Sequence, residues 1–174
     1  MELLGDRVRL RSVKSSDLKD LHAWWNDPEF AGPFNDDYPK SREEVSQIVK
    51  SSHTFIIEGI ADGRKIGIIS YYLTRSDYPY LYEIGYRIEP KERNKGYTTE
   101  AAGVLIDHMF ATLDIERIEA VADTKNFASQ RVLGKNGFRR EGRLKKRVRL
   151  NGKYRDEYIF GLLREEWRAA KGKR

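Results

Sequence analysis

Two Asx-Gly dipeptides do most to limit the folds open to this chain. Asp62-Gly63 stands between apolar-rich runs at about 53–61 and 65–74, and Asn151-Gly152 between runs at about 138–150 and 153–164. Such pairs adopt the positive-φ geometry of two-residue hairpin loops, so each pair of runs doubles back as neighbouring antiparallel strands. A chain with two such hairpins is not a strictly alternating parallel sheet.

The remaining segments alternate between the two periods. Arg7-Val-Arg-Leu-Arg-Ser-Val13 alternates charged and apolar residues, as a half-buried strand does. Ser15 or Ser16 caps a helix through Asn26, with Leu18, Leu21, Trp24 and Trp25 on one face, and Asp27-Pro28 ends it. A loop from Glu29 to Lys40 follows. Ser41-x-x-Glu44 has the form of a capping box and opens a second helix to about Ser51. A strand is expected over about 78–89, a helix with a broad apolar face over 98–113, and a strand over 115–123. A short helix over 126–135 closes at Asn136-Gly137, a left-handed cap. The order is β-αα-βββ-α-β-α-ββ. It predicts an α+β architecture: a central mixed, mostly antiparallel twisted sheet of about seven strands, flanked by about four helices. With no repeat or linker, residues 1–174 read as a single domain.

Composition narrows the chemistry. There is no cysteine, which removes disulfides, thiolate metal sites and a cysteine nucleophile. His22, His53 and His108 are scattered without ligand spacing, so no metal is expected. The apolar runs are too short to span a bilayer and the first residues lack the apolar core of a secretory signal, which predicts a cytoplasmic protein with no membrane partner. A net charge of +6 suits an anionic ligand, a nucleic acid or a soluble surface rich in both signs.

The segment Arg87-Ile-Glu-Pro-Lys-Glu-Arg-Asn-Lys-Gly-Tyr-Thr-Thr-Glu100 points to the anion. A strand ends near Pro90, a basic turn containing Gly96 follows, and a helix opens at Thr98. Unpaired backbone N–H groups converge at such a junction, and the helix dipole favours negative charge. Gly96 lets a ligand approach the backbone, and Arg93 and Lys95 add mobile positive charge. The Gly-Lys-Ser/Thr ending of a Walker loop and the Gly-x-Gly-x-x-Gly of dinucleotide folds are both missing.

Arg93-x-x-Gly96-x-Thr98 resembles the pyrophosphate loop of GNAT acetyltransferases, Gln/Arg-x-x-Gly-x-Gly/Ala. Arg93 to Ala101 is similar to the family's Arg-Gly-Lys-Gly-Tyr-Ala-Thr-Glu-Ala, with Asn94 in place of a common Gly and Thr98 in place of a small residue. A second block, Asn126-x-x-Ser129-x-x-x-Leu133-x-x-x-Gly137-Phe138, resembles the helix and turn that follow in the family. The order of elements agrees along nearly the whole chain. Trp25-Asn-Asp-Pro28 and Asn151-Gly-Lys-Tyr-Arg-Asp156 resemble the RimJ/RimL-like branch, which acetylates ribosomal-protein N-termini and related amines. The resemblance implies acetyl-CoA as cosubstrate, with Ile88, Arg93, Asn94, Lys95, Gly96, Tyr97, Thr98, Asn126 and Ser129 binding it. Asn126 alone would be a helix N-cap, so any role towards the cofactor is additional to that.

Acyl transfer to an amine needs a base, because an alkylammonium is not a nucleophile, and it needs a donor for the developing oxyanion. A backbone N–H in the strand before the phosphate loop can be that donor. Glu83 is the candidate base. In Tyr82-Glu-Ile-Gly-Tyr-Arg-Ile88 it shares a strand face with Gly85 and Arg87, opposite Tyr82, Ile84, Tyr86 and Ile88. A salt bridge to Arg87 or a neighbouring strand is the structural alternative. Many relatives carry a Tyr acid where this chain has Leu133. Ser129 is the candidate to take over, with Tyr86, Tyr154 and Tyr158 in reserve. With no cysteine, direct attack on the thioester is the simplest route.

The acceptor is a primary amine. A protein N-terminal amine comes first. Polyamines come second, because Glu29, Asp36, Asp37, Glu43 and Glu44 place carboxylates towards the presumed substrate side; other small-molecule amines come third. A homodimer stays open. The run Arg143, Lys145, Lys146, Arg147, Arg149, Lys153 and Arg155 raises an RNA-binding alternative, outweighed by a charged edge that resists aggregation. A non-catalytic CoA-binding module is the remaining alternative.

Overall fold

A computed structural model describes residues 1–35 and 39–172. Both hairpins form where the Asx-Gly signals place them: Gly63 has φ 66°, and Asn151 and Gly152 have φ 48° and 77°. The strands are β1 (Glu2–Leu4), β2 (Val8–Ser12), β3 (His53–Gly59), β4 (Lys65–Leu73), β5 (Tyr82–Ile88), β6 (Arg117–Asp123), β7 (Arg139–Leu150) and β8 (Lys153–Leu163). The helices are α1 (Leu18–Trp25), α2 (Pro28–Ala31), α3 (Arg42–Ser51), α4 (Tyr97–Thr112), α5 (Phe127–Lys135) and α6 (Arg164–Lys171). The described residues thus hold eight strands and six helices, one strand and two helices more than the sequence suggests.

All eight strands join one sheet in the order β1-β2-β3-β4-β5-β6-β8-β7. Every pairing is antiparallel except that of β5 with β6. That parallel pair holds register only at Tyr82 with Ile118 and Glu83 with Glu119. Beyond Glu83 the two strands part, while β5 stays paired to β4 as far as Ile88. The sheet therefore opens as a V at its centre.

Each face of the sheet has its own core. On one, α4 buries Ala101, Ala102, Leu105, Ile106, Met109 and Phe110 against Ile57, Ile69, Ile84, Ile118 and Phe160. On the other, Leu21, Trp25, Phe30 and Val45 cover Ile56 and Ile68. Glu100 ties the first turn of α4 to β2, accepting from the N–H groups of Arg7 at 2.6 Å and Val8 at 3.1 Å and from Arg7 Nε at 2.9 Å.

A buried ion network fixes α1 to the sheet. Arg11 Nη1 donates to Asp17 Oδ2 at 2.8 Å and Arg11 Nε to Glu58 Oε1 at 2.9 Å, and Lys65 Nζ lies 2.7 Å from Asp17 Oδ1. Burial opposes ionisation of Asp17, yet hydrogen bonds from Arg11, Lys65 and the Lys14 N–H hold its carboxyl well below the usual range. A depressed folded pKa gives stability that is present above the unfolded pKa and lost as pH falls through the folded one. Asp17→Ala should cost about 3–5 kcal/mol at neutral pH, since it removes one of the two carboxylates that neutralise buried Arg11 and leaves only Glu58 to do so. Urea unfolding at pH 7 checks this; a loss under about 1 kcal/mol, typical of an exposed pair, would refute it.

Candidate active site

The V between β5 and β6 continues into a cleft of about 1200 Å³ that runs from the Asn94–Gly96 turn to Glu157 on β8. Its floor is β5. Glu89 N–H is bonded to Ile66 O on β4 at 2.9 Å. Successive amides of a strand point to opposite edges, so the N–H groups of Ile88 and Tyr86 point to the edge that β6 has left.

One wall is the turn before α4. Asn94 has φ 62° and Gly96 φ 85°. Asn94 replaces the glycine common in the resembling loops, and its left-handed conformation is one that Asn tolerates. Positive φ on both sides of Lys95 turns consecutive amides to one side, and those of Tyr97, Thr98 and Thr99 have no acceptor within the helix. None of the amides from Asn94 to Thr99 is taken by another described residue. The side chains are disposed differently from the sequence expectation. Lys95 Nζ is paired with Glu92 at 3.0 Å, Tyr97 lies under the Arg7 guanidinium, and neither side chain lines the cleft. Arg93 does line it, but Nη2 donates to Glu29 O at 2.5 Å and so holds α2. What this turn offers the cleft is backbone, and of the residues expected to bind the cosubstrate Ile88, Asn94, Gly96, Thr98, Asn126 and Ser129 line the cleft wall.

The opposite wall is α5. Asn126 Oδ1 accepts from Ser129 N–H at 3.1 Å, the N-cap role expected of it. Ser129 Oγ lies 3.0 Å from Tyr86 Oη. Burial pushes the Tyr86 phenol up to about 12, with the Ser129 hydrogen bond opposing, so it is a neutral donor at physiological pH. Leu133 is buried in the core. The Tyr86–Ser129 pair reaches the cleft from β5 and α5 together.

Glu83 also lines the cleft and makes no ion pair with Arg87. Arg87 packs over the Trp25 ring, 5.1 Å from its centroid. The partner of Glu83 is Tyr72, whose Oη donates to Oε1 at 2.8 Å across the β4–β5 register. Burial raises the Glu83 pKa; the Tyr72 hydrogen bond opposes this, neighbouring Glu157 adds to it and Arg147 offsets part of it. Glu157 is likewise raised, first by burial.

Sequence reasoning missed Tyr72, Glu157 and Arg147. Tyr72 was accessible from hairpin register, because it sits directly opposite Glu83. Arg147 was not: two register shifts interrupt β7, and Lys146 takes φ 51° with its N–H on Asp156 at 2.7 Å, which breaks the expected alternation of Lys145, Arg147 and Arg149. Glu29, Glu43 and Glu44 do not line the cleft, and Asp36 and Asp37 lie outside the described residues. The carboxylates that line it are Glu83, Glu92, Asp123 and Glu157. Trp25 lines it too, while Trp24 stacks on Phe30 at 4.7 Å and donates to Glu89.

The family model described as an acetyltransferase (GNAT) domain matches residues 7–139. The chain belongs to the GNAT acetyltransferase family. Like its GNAT relatives it is an N-acetyltransferase, with the mixed sheet of that fold. It is 40% identical over 88 residues to the uncharacterized N-acetyltransferase YnaD of Bacillus subtilis, a match that spans 51% of this chain and about half, 52%, of that protein. It is 25% identical over 178 residues to the spermidine N(1)-acetyltransferase of Escherichia coli K12, covering 93% of this chain and 89% of the other. Among solved GNAT structures, the ribosomal-protein-S5-alanine acetyltransferase of Vibrio fischeri superposes with a TM-score of 0.82 at 24% identity, covering 96% and 98% of the two chains. That similarity speaks to the fold. No described helix is long and apolar enough to cross a membrane.

Proposed function

We propose that this GNAT enzyme uses acetyl-CoA to acetylate a primary amine by direct attack, and that its acceptor is a protein N-terminal amine. The observation that carries the reading is the joint placement, in one cleft, of an amide-lined anion turn, a freed strand edge and a buried carboxylate. Acetyl-CoA supplies an acyl thioester and a diphosphate. The amides of residues 94–99 receive the diphosphate, and the Ile88 N–H faces the thioester oxygen as it gains charge. Glu83 takes the amine's proton, directly or through water, as the C–N bond forms. When the C–S bond breaks, Ser129 Oγ, backed by Tyr86 Oη, provides the proton for the departing sulfur.

The charges on the acceptor side support one ammonium. Asp123 is neutralised by Arg155 at 2.6 Å and Glu119 by Arg117 at 2.8 Å. Glu83 and Glu157 are left to attract a cation, with Arg147 partly offsetting both. An α-amine on a peptide meets that balance. A polyamine is the second reading, favoured by the adjacency of those two carboxylates and by the similarity to the spermidine enzyme.

Acetyl-CoA consumption across N-terminal peptides, spermidine and aminoglycosides tests the choice. The expected result is kcat/KM for a peptide at least about tenfold above that for spermidine, a difference of about 1.4 kcal/mol in transition-state binding. The reverse order replaces the first reading with the second, and no turnover with any amine would dismiss both.

A further inference from the structure

The positive charge of the chain is concentrated in one place. Residues 142–155, the end of β7, the turn and the start of β8, hold seven Lys and Arg and no acid, whereas the whole chain has a net charge of +6. Everything outside the hairpin is therefore slightly acidic in sum. Two of the seven are neutralised from outside that stretch, Arg143 by Asp156 at 2.6 Å and Arg155 by Asp123 at 2.6 Å. Arg149 donates to Gly152 O at 3.3 Å. Lys145, Lys146 and Lys153 are exposed and make no ion pair with a described residue. Lysines alone can blunt an exposed edge strand, but these stand about a bulge at the rim of the cleft. Leu144 pairs with Glu157 and Val148 with Arg155, so Lys145, Lys146 and Arg147 all face the single residue Asp156. Asp156 Oδ1 fixes the bulge by accepting from Lys146 N–H at 2.7 Å, with Lys146 at φ 51°. Such a bulge re-aims the side chains it carries. Its neighbour Glu157 lines the cleft, and the charge of Arg147 reaches both Glu157 and Glu83. Arg155 lies 5.4 Å from the ring centroid of Phe34, which lines the cleft as Asp123 does. The lysines therefore begin where the carboxylates of the cleft end.

We propose that the β7–β8 hairpin is the docking surface for the acceptor protein and selects an N-terminus that is followed by acidic residues. This acceptor class rests on the reading of a protein N-terminal amine given above, which it narrows. An acceptor whose ammonium is drawn to Glu83 and Glu157 leaves the cleft past the bulge, and its next residues meet Lys145, Lys146 and Lys153. From Glu157 to the turn at Asn151 the hairpin runs about six residues, about 20 Å of strand. An extended peptide spans that distance with about as many residues. Carboxylates within the first half-dozen positions of the acceptor thus come opposite cations that have no other partner. RNA would bring phosphates to the same cations, but it offers no alkylamine to the cleft, and Glu83 and Glu157 repel it.

Steady-state kinetics with peptides alike in their first two residues, and carrying Asp and Glu, Ser and Gln, or Lys at positions three to six, test this. The proteins are the wild type and Lys145→Gln/Lys146→Gln/Lys153→Gln. Exposed pairs are individually weak, so the preference is a sum over several. Wild-type kcat/KM should be about 10-fold higher for the acidic than for the neutral peptide at low salt. The difference should lie in KM and shrink as ionic strength rises. The triple variant should lose the preference, its ratio falling close to one, while its kcat/KM for the neutral peptide and its melting temperature stay as in the wild type. Lys145→Gln/Lys153→Gln leaves the bulge residue Lys146 in place and should lose most of the preference, which keeps the test valid if the triple variant melts low. Equal wild-type rates on acidic and neutral peptides, or a preference that both variants keep, overturns the docking surface and leaves the N-terminal acceptor intact. Turnover of spermidine but of no peptide overturns both. Tight binding of a short polyuridine at physiological salt, lost in the triple variant, with no preference among the peptides, would make the hairpin a nucleic-acid site and also overturns the proposal.

Discussion

Replacing Glu83 with glutamine is expected to lower kcat by about 100-fold or more at neutral pH, in the range of general-base loss, without lowering thermal stability. The two halves of this outcome follow from one environment. Glu83 is held by the Tyr72 hydroxyl, forms no ion pair with a described residue, and is raised in pKa chiefly by burial. A carboxyl whose folded pKa exceeds its unfolded value contributes stability that is full below the unfolded pKa and is lost as pH rises through the folded one. At neutral pH its charge is thus a cost to the fold, and glutamine removes it. The melting temperature of the variant should equal or exceed that of the wild type, with the difference growing from pH 4 to pH 7. The wild-type acid limb of kcat/KM should lie above the ordinary carboxylate range, for the same reason. The activity deficit should narrow at high pH, where free amine is already abundant. Ser129→Ala should lower activity with a deficit that persists there, since protonation of the leaving sulfur does not depend on the amine. Single-turnover rates isolate the chemical step. A Glu83→Gln enzyme with a wild-type single-turnover rate at pH 7 would remove Glu83 from the mechanism, and a lowered melting temperature would restore the ion-pair reading.

What the sequence made legible was local. The hairpin turns, the Ser41–Glu44 capping box and the left-handed Gly137 each need a particular residue type at a particular dihedral, and all three stand where expected. The turn that opens α4 was legible because Gly96 and the start of the helix are neighbours in the chain. What escaped depends on distant partners. Asp27-Pro28 marks the end of α1, but the same pair starts α2, with Asp27 Oδ1 accepting from Glu29 N–H and Pro28 in the first turn. α6 is polar in sequence and is held from outside, by Trp167 Nε1 on Asp107 at 2.7 Å. Its first residue, buried Arg164, donates to the carbonyls of Phe110, Leu113 and Ile115. β1 is a three-residue edge strand, paired with β2 and anchored by Leu3, which packs against the core. The same division runs through the site. Glu83 could be placed on its strand face from period-2 alternation alone, but its pKa is shifted first by burial and then by Tyr72, Glu157 and Arg147, which come from three other strands.

Gly96→Asp should weaken coenzyme A binding by about 100-fold or more while the protein stays folded. Gly96 is the N-cap of α4 at φ 85°, in the left-handed region, where any side chain adds strain of about 1–2 kcal/mol. A Cβ built there meets Arg7 Nη2 at 3.2 Å, the mobile end of a long side chain, so the contact can relax. The surrounding loop is held independently, since Arg7 Nη1 donates to Lys95 O at 3.1 Å and Arg7 N–H to Glu100 at 2.6 Å. An aspartate there caps the helix and pairs with Arg7, which preserves the fold. It also sets a negative charge among the amides that would receive the diphosphate, in a site whose nearest lysine is already committed to Glu92. Like charges at about 4 Å cost on the order of 1–4 kcal/mol near a protein surface, and 1.4 kcal/mol is tenfold in affinity. Gly96→Ala separates the two causes, because it carries the backbone strain without the charge and should lose about tenfold or less. Calorimetry with coenzyme A on the three proteins reads the result, and the aspartate's excess over the alanine should shrink in high salt. Equal affinity of the wild type and Gly96→Asp would move the diphosphate off the 93–98 turn altogether.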